Sequence, residues 1–205
     1  MSTRQRFILI RHAATRSNID GIWHGQQDEP LSRDGLVATR NAAARLVRIL
    51  DGSRATLISS NYQRAIQTSL TLSSELCLAF NHIFSGLGER DMGEWSGKSP
   101  SETEIRYPGL LERWEKGLVP GPPSGETDQE VARRAMQVLL ACRPLDIDVV
   151  IVVTHGGVVR SLLNQARLPK PPVPHLGGYW ATVEQAVLKI GPPIGLGQPQ
   201  HLPLT

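Results

Sequence analysis

The sequence predicts an α/β fold, a three-layer sandwich in which helices flank a mostly parallel central sheet. Two apolar runs, at 7–10 (Phe-Ile-Leu-Ile) and 149–153 (Val-Val-Ile-Val-Val), have the length and composition of buried strands. Stretches of helical length, several with readable caps, lie between them. Strands that alternate with helices pack as a parallel sheet covered on its faces.

The elements follow in order. The first strand is the run at 7–10. Ser32, ahead of Arg33-Asp34-Gly35, is an N-cap for a helix that reaches Leu50, with Asp51-Gly52 as its stop. Residues 55–60 read as a short strand and 62–76 as a helix. A helical excursion spans 100–116, interrupted by Pro108-Gly109. The rigid turn at 121–125 leads into a helix from about Thr127 to Cys142. Residues 149–154 form the central strand, followed by a helix through Val158, Val159, Leu162 and Leu163. Residues 179–190 read as a strand or strand pair near the sheet's edge. Proline and glycine dominate 169–178 and 191–205. The expected organisation is one domain over 1–190, with a helical cap at 99–123, and an irregular tail at 191–205.

The 205 residues suit one domain with a substantial core, and 40% hydrophobic with 20% charged residues is ordinary for a globular protein. A formal charge of +3 suits an anionic small molecule but lacks the basic stripe of a nucleic-acid binder. The arginines between 40 and 48 lie in a helix whose alanines and leucines form its buried face, so they read as a solvated face. No apolar stretch reaches membrane-spanning length, and the run after Arg4 and Arg6 is too short for a signal-peptide core. Cys77 and Cys142 suggest neither a disulfide framework nor a zinc site and fit a reducing, cytoplasmic compartment. The expectation is therefore a small-molecule ligand, with no nucleic acid and no membrane partner. The oligomeric state is left open, a homodimer being one option.

Chemistry concentrates at two strand ends. Arg11-His12 follows the first apolar run, and Thr154-His155-Gly156-Gly157 follows the second. In open α/β sheets the carboxyl edge is where ligands bind. Two histidines there, one beside an arginine, suit a site that handles phosphate. Other phosphate chemistries fail on spacing. Five residues separate the cysteine and arginine of a cysteine phosphatase, but at that offset Cys77 leads to Ile83 and Cys142 to Asp148. Gly97-Lys98-Ser99 is no P-loop, because Met92 stands where its first glycine belongs. Carboxylate clusters for a two-metal site are absent from the sequence, and nothing in it calls for a metal or another cofactor.

Four segments carry a resemblance: 10–18 (Ile-Arg-His-Ala-Ala-Thr-Arg-Ser-Asn), 59–68 (Ser-Ser-Asn-Tyr-Gln-Arg-Ala-Ile-Gln-Thr), 87–97 (Leu-Gly-Glu-Arg-Asp-Met-Gly-Glu-Trp-Ser-Gly) and 154–160 (Thr-His-Gly-Gly-Val-Val-Arg). In this order, with Leu31-Ser32 and Gly35 between the first two, they resemble the phosphatase branch of the histidine phosphatase superfamily, with its phosphoglycerate-mutase-like fold. The resemblance implies that His12 is the nucleophile and becomes phosphohistidine. It makes Arg11, Arg64 and His155 the catalytic cationic and donor groups. It places the phosphate among Arg11, Asn18, His24, Gly25, Arg64, His155 and Gly156, and it gives the proton transfer to Glu89. Spacing alone leaves Asp91 and Glu94 as rivals. Physically, a neutral imidazole is a good nucleophile toward phosphorus, and like charge from Arg11 and Arg64 disfavours its protonation. Fixed donors stabilise the charge on the transferring group.

Glu126 reads as a structural carboxylate at a helix start, and His82, His175 and His201 as residues outside catalysis. Three departures from the family pattern stand out. Ala13 replaces a glycine and would crowd the loop if a positive φ were required. His24 stands where relatives have a small polar residue or glutamine. Asn61-Tyr62 replaces Pro-Leu, a change expected at the rim rather than in the chemistry. The expected activity is a metal-independent phosphomonoesterase acting on small phosphorylated metabolites. The alternatives are a phosphoglycerate-type mutase and a weakly active module that binds phosphorylated ligands. A mutase must retain its product, and the cap offers only Lys98, Arg106, Arg113 and Lys116 in or beside a short excursion.

Overall fold

The strand that opens the chain, β1 (Gln5–Arg11), lies inside a single sheet, with β4 (Val149–Thr154) on one side and β5 (Gly177–Glu184) on the other. Strands β2 (Ala55–Ser60) and β3 (Phe80–Phe84) continue the sheet beyond β4, and β6 (Val187–Gly195) closes the opposite edge, giving the order β3-β2-β4-β1-β5-β6. The first four strands run parallel, while β5 and β6 are antiparallel. The computed structural model describes residues 4–142 and 147–197.

Alternation along β1 and β4 divides the core between the two faces of the sheet. Phe7, Leu9, Val150 and Val152 pack with Val131, Ala135 and Leu139 of α6 (Asp128–Ala141) and Val158, Val159 and Leu162 of α7 (Gly156–Gln165). Ile8, Ile10, Val149, Ile151 and Val153 pack with Ala42, Leu46 and Leu50 of α2 (Arg33–Leu50) and Ala65 and Leu72 of α3 (Gln63–Leu76). Both faces are dry, which is why these strands read as unbroken apolar runs. Each fully buried side chain of this size contributes about 1.5–3 kcal/mol through removal from water.

The caps behave as the sequence indicates. Ser32 Oγ accepts the Gly35 N–H at 3.0 Å, and Asp51 ends α2 in the left-handed region at φ 45°. Gly35 is required for close approach, since a Cβ there would run into the Ala14 carbonyl. This contact presses the start of α2 against the loop that follows His12.

The excursion forms α4 (Pro100–Arg106) and α5 (Leu110–Glu115), after a short helix α1 (Arg16–Ile19) nearer the start of the chain. It is anchored by aromatic rings. Trp95, fully buried, stacks on Trp23 at 5.6 Å and meets Trp114 of α5 edge-on at 5.6 Å.

Two sequence expectations need correction. Strand β3 was not anticipated, because its largely exposed edge position gives Phe-Asn-His-Ile-Phe neither alternation nor an apolar run. Regular structure does not stop at residue 190 either. Strand β6 runs to Gly195 through Pro192 and Pro193; it is an edge strand, and its pairing with β5 shifts register between Tyr179 and Ala181, opposite the prolines, where the ladder demands fewer donors. The rest of the expected tail, 198–205, lies outside the described residues. Among the described residues no helix is long and apolar enough to cross a membrane.

Candidate active site

The register of the sheet brings the two histidines together. In the parallel β1–β4 pair Arg11 lies opposite Thr154, and the His12 N–H donates to the Thr154 carbonyl at 2.9 Å. His12 and His155 therefore leave the carboxyl edge side by side, their rings 5.0 Å apart and edge to face. Arg64 arrives from the same edge, one residue into α3, directly after β2. Glu89 comes from the loop after β3. The expected catalytic groups thus share one cleft edge, where the topology of such sheets positions ligand sites.

His12 is buried, and its Nδ1 lies 2.6 Å from the Ala13 carbonyl. A carbonyl only accepts, so Nδ1 carries the proton of the neutral ring and Nε2 keeps the lone pair. Burial, reinforced by the charges of His155, Arg11 and Arg64, holds the His12 pKa well below the ordinary histidine value. His155 is lowered in the same way, by burial and then by Arg64 and Arg11. Its Nε2 is 2.7 Å from Ser60 Oγ; with that hydroxyl accepting the Tyr62 N–H and donating its own proton to Nε2, the N–H of the neutral ring sits on the buried Nδ1, which has no partner among the described residues.

The two arginines are clamped by backbone oxygens. Arg11 Nη1 donates to the Val173 carbonyl at 2.7 Å; Arg64, fully buried, donates to Gln27 at 2.7 Å and Gly25 at 3.3 Å. The Nε of each is buried without a partner among the described residues. Burial, offset in part by Glu89, brings the Arg11 pKa down to about 10, and it lowers Arg64 too. Both guanidinium groups remain charged at neutral pH, so the pocket is electropositive.

Of the three rival carboxylates, Glu89 is the one that faces this pocket. Its oxygens accept the Arg90 N–H at 2.7 Å and, at the start of α7, the Gly157 N–H at 3.3 Å. Asp91 is taken up by a turn to the Gly93 N–H, and exposed Glu94 pairs with Tyr107 and Ser124. Glu126 binds Arg134 and the Asp91 N–H, the structural role expected of it.

Ala13 fits without strain: it is buried in the core, and it is not among the residues with positive φ. Gly25 does need its left-handed φ of 54°. A Cβ at Gly156 would touch the Arg11 side chain at 3.4 Å. His24 is buried and engaged at both nitrogens. Its Nε2 pairs with Glu29 and lies 3.0 Å from Thr15 Oγ1; its Nδ1 lies 3.4 Å from the Asn18 amide nitrogen. The imidazole thus holds Asn18 more directly than it offers a free donor to a ligand.

Three residues at this site escaped the sequence reading. His175, taken there as a residue outside catalysis, packs its ring 5.7 Å from His12 and donates from Nδ1 to the His12 carbonyl at 3.1 Å. Burial, then Arg11, brings its pKa down to about 3. Its Pro/Gly-rich setting gave no signal. Tyr62 does more than shape the rim: its ring lies edge-on to His155 at 5.5 Å and under the Arg64 guanidinium at 4.7 Å. Glu29, the partner of His24, sits in a segment with no pattern of its own. His82 is exposed, and His201 lies outside the described residues.

Known proteins resemble this chain in sequence and in fold. The family model of the histidine phosphatase superfamily (branch 1) matches residues 7–177. A glucosyl-3-phosphoglycerate phosphatase of Mycobacterium tuberculosis is 30% identical over 188 residues, covering 85% of this chain and 81% of its own. A 2,3-bisphosphoglycerate-dependent phosphoglycerate mutase of Methylobacterium radiotolerans is 28% identical over 174 residues, covering 79% and 82%. Among solved structures, a mycobacterial glucosyl-3-phosphoglycerate phosphatase with bound VO3 superposes with a TM-score of 0.77 at 23% identity, over 95% of this chain and 100% of that one. The chain belongs to the histidine phosphatase superfamily.

Proposed function

We propose that the protein hydrolyses small phosphorylated metabolites, without a metal, through a phosphohistidine at His12. The observation that carries the reading is a set of buried N–H groups without partners, Arg11 Nε, Arg64 Nε and a His155 nitrogen, around an imidazole kept neutral. Buried donors left unpaired are costly, and a tetrahedral oxyanion is the ligand that satisfies all of them. These fixed charges supply what a metal would otherwise contribute.

In the first step His12 Nε2 attacks phosphorus and the ester P–O bond breaks. The electron pair leaves on the alkoxide oxygen, which takes a proton from Glu89. In the second step water gives a proton to Glu89 and attacks the phosphohistidine; the P–N bond breaks, releasing inorganic phosphate and restoring His12. Arg11, Arg64 and His155 hold the equatorial oxygens in both steps, with Asn18 as a neutral donor. Gly25 holds Arg64 through its carbonyl, Gly156 opens α7 beside Arg11, and His24 positions Asn18. The relatives' names make phosphoglycerates, free or glucosylated, the first substrates to try. Two free cysteines, Cys77 and Cys142, fit a reducing compartment, and we place the enzyme in the cytoplasm.

The mutase relative favours a second reading, in which His12 returns the phosphoryl group to another hydroxyl of the bound product. The deciding experiment incubates the protein with 3-phosphoglycerate in EDTA, following inorganic phosphate and 2-phosphoglycerate together. Phosphate release with little interconversion is expected. Rapid interconversion with negligible phosphate would make the protein a mutase, and loss of all activity on chelation would overturn the metal-free mechanism.

A further inference from the structure

Four consecutive carbonyls in the loop that carries Glu89 are held by side chains. Arg134, on α6, takes three of them: Nη1 donates to Gly86 at 3.0 Å and to Gly88 at 2.6 Å, and Nη2 donates to Glu89 at 3.1 Å. Thr154, next to His155, takes the fourth, its Oγ1 donating to the Leu87 carbonyl at 2.8 Å. The loop lies directly on α6, since a Cβ at Gly86 would stand 2.7 Å from a Val138 methyl, one helical turn from Arg134.

The rest of the guanidinium goes to Glu126. Nε donates to Oε1 at 2.8 Å and Nη2 to Oε2 at 2.7 Å, so all five N–H groups of Arg134 are engaged. Glu126 also grips the chain beyond Glu89. Its Oε2 accepts the Asp91 N–H at 2.9 Å, and its own N–H donates to the Asp91 carbonyl at 2.9 Å. Burial opposes ionisation of Glu126, yet the bonds from Arg134 and from the Asp91 N–H outweigh it and lower the pKa. A lysine could not replace this planar fork, because its compact ammonium group cannot span acceptors on both sides.

The acid itself is held differently. Among the described residues the hydrogen bonds to the Glu89 carboxyl come from two backbone N–H groups, those of Arg90 and Gly157. Its reach toward the leaving oxygen is therefore set by where the loop backbone lies. An arginine paired with the carboxyl would hold it as the anion and make it a poor acid. Arg134 grips the main chain instead, and Glu126 neutralises its charge. We propose that Arg134, with Glu126 as its counter-ion, is a positioning residue for the proton transfer: it fixes the backbone of Glu89 and leaves the carboxyl free to gain and lose a proton. This deepens the phosphatase reading and rests on it for the role of Glu89.

The leaving group separates positioning from general stability. kcat/KM, which reports phosphorylation of His12, is measured on full-length protein with 3-phosphoglycerate and with p-nitrophenyl phosphate. Arg134→Lys keeps the charge and loses the fork; it should slow the alkyl phosphate about 10- to 100-fold and p-nitrophenyl phosphate by about 3-fold or less. Glu126→Gln keeps the shape and removes the counter-charge. It should show the same split at smaller size, and it reads the split even if Arg134→Lys does not fold. Added to Glu89→Gln, Arg134→Lys should cost the alkyl phosphate little more, because the group it positions is gone. Equal losses on the two substrates in the variants that fold, or a full further loss in the Glu89→Gln background, would overturn the positioning role and leave the phosphatase reading intact. Equal losses in Glu89→Gln alone would overturn Glu89 as the acid, and the proposal with it.

Discussion

The rings of His12 and His155 meet edge to face with centroids 5.0 Å apart, and both are pressed toward the neutral form. Two imidazolium ions at that distance, beside Arg11 and Arg64, would repel one another in a poorly solvated pocket. The contact is therefore compatible with one arrangement only: a neutral nucleophile next to a neutral hydrogen-bonding partner, with the arginines alone carrying positive charge.

That arrangement makes stability fall in acid. An unfolded histidine titrates near 6.5, whereas His12 and His155 are held well below that and His175 is brought to about 3. Above pH 6.5 all three are neutral in both states, and their burial carries no protonation penalty. Below it the unfolded chain binds protons that the folded protein refuses, so stability drops as pH falls toward about 3. Each imidazole contributes up to about 1.4 kcal/mol per pH unit in that window. Denaturant unfolding between pH 7 and pH 4 should show this steep limb, and His175→Asn should reduce its slope by about one proton. An unchanged slope would mean that His175 is not buried neutral.

Glu89 gives a prediction that depends on the leaving group. Glu89→Gln should slow an alkyl phosphate by about 10²–10⁴-fold, because an alkoxide cannot leave without a proton. p-Nitrophenyl phosphate, whose leaving group departs as the anion, should lose much less. Equal losses on both substrates, measured as kcat, would remove Glu89 from proton transfer.

The fold was legible where sequence pattern reflects burial. The strands at 55–60 and 149–154, the helix starting after Ser32 and its left-handed stop at Asp51 all follow from apolar runs and caps. Strand β3 was not, since at an exposed edge the backbone ladder supplies the order and side chains need no pattern. At the site, His12 and His155 were legible because each follows an apolar strand run, and Arg64 because it opens a helix; Glu89 was singled out by the family resemblance alone, spacing leaving Asp91 and Glu94 as rivals. His175 and Glu29 were not, since they reach the pocket by chain reversals that leave no periodicity behind. Arg90, Arg160 and Lys170, which gather around Trp114, come from segments far apart in the chain, so no local pattern links them to the excursion.

His24 is expected to act through Asn18. With Nε2–H directed at Glu29, Nδ1 is left to accept from the Asn18 amide at 3.4 Å. Replacing His24 with Leu should raise KM by about 2- to 10-fold, the equivalent of one hydrogen bond of about 0.5–1.5 kcal/mol, with kcat little changed. His24→Gln, which can still accept from Asn18, should recover most of that loss. A fall in kcat beyond 100-fold in His24→Leu would instead put the imidazole on the reacting phosphate.

The most direct measurement looks for the phosphoryl group on His12 itself. The protein is mixed with a hydrolysed phosphomonoester, quenched in alkali during turnover, digested and examined by mass spectrometry. Phosphate is expected on the peptide carrying His12, stable in the alkaline quench and lost on acidification, as a phosphoramidate must be. The same bound phosphate should be absent from His12→Ala, which should also lose turnover. Near-native turnover by His12→Ala, or phosphate trapped on any other residue, would contradict the mechanism.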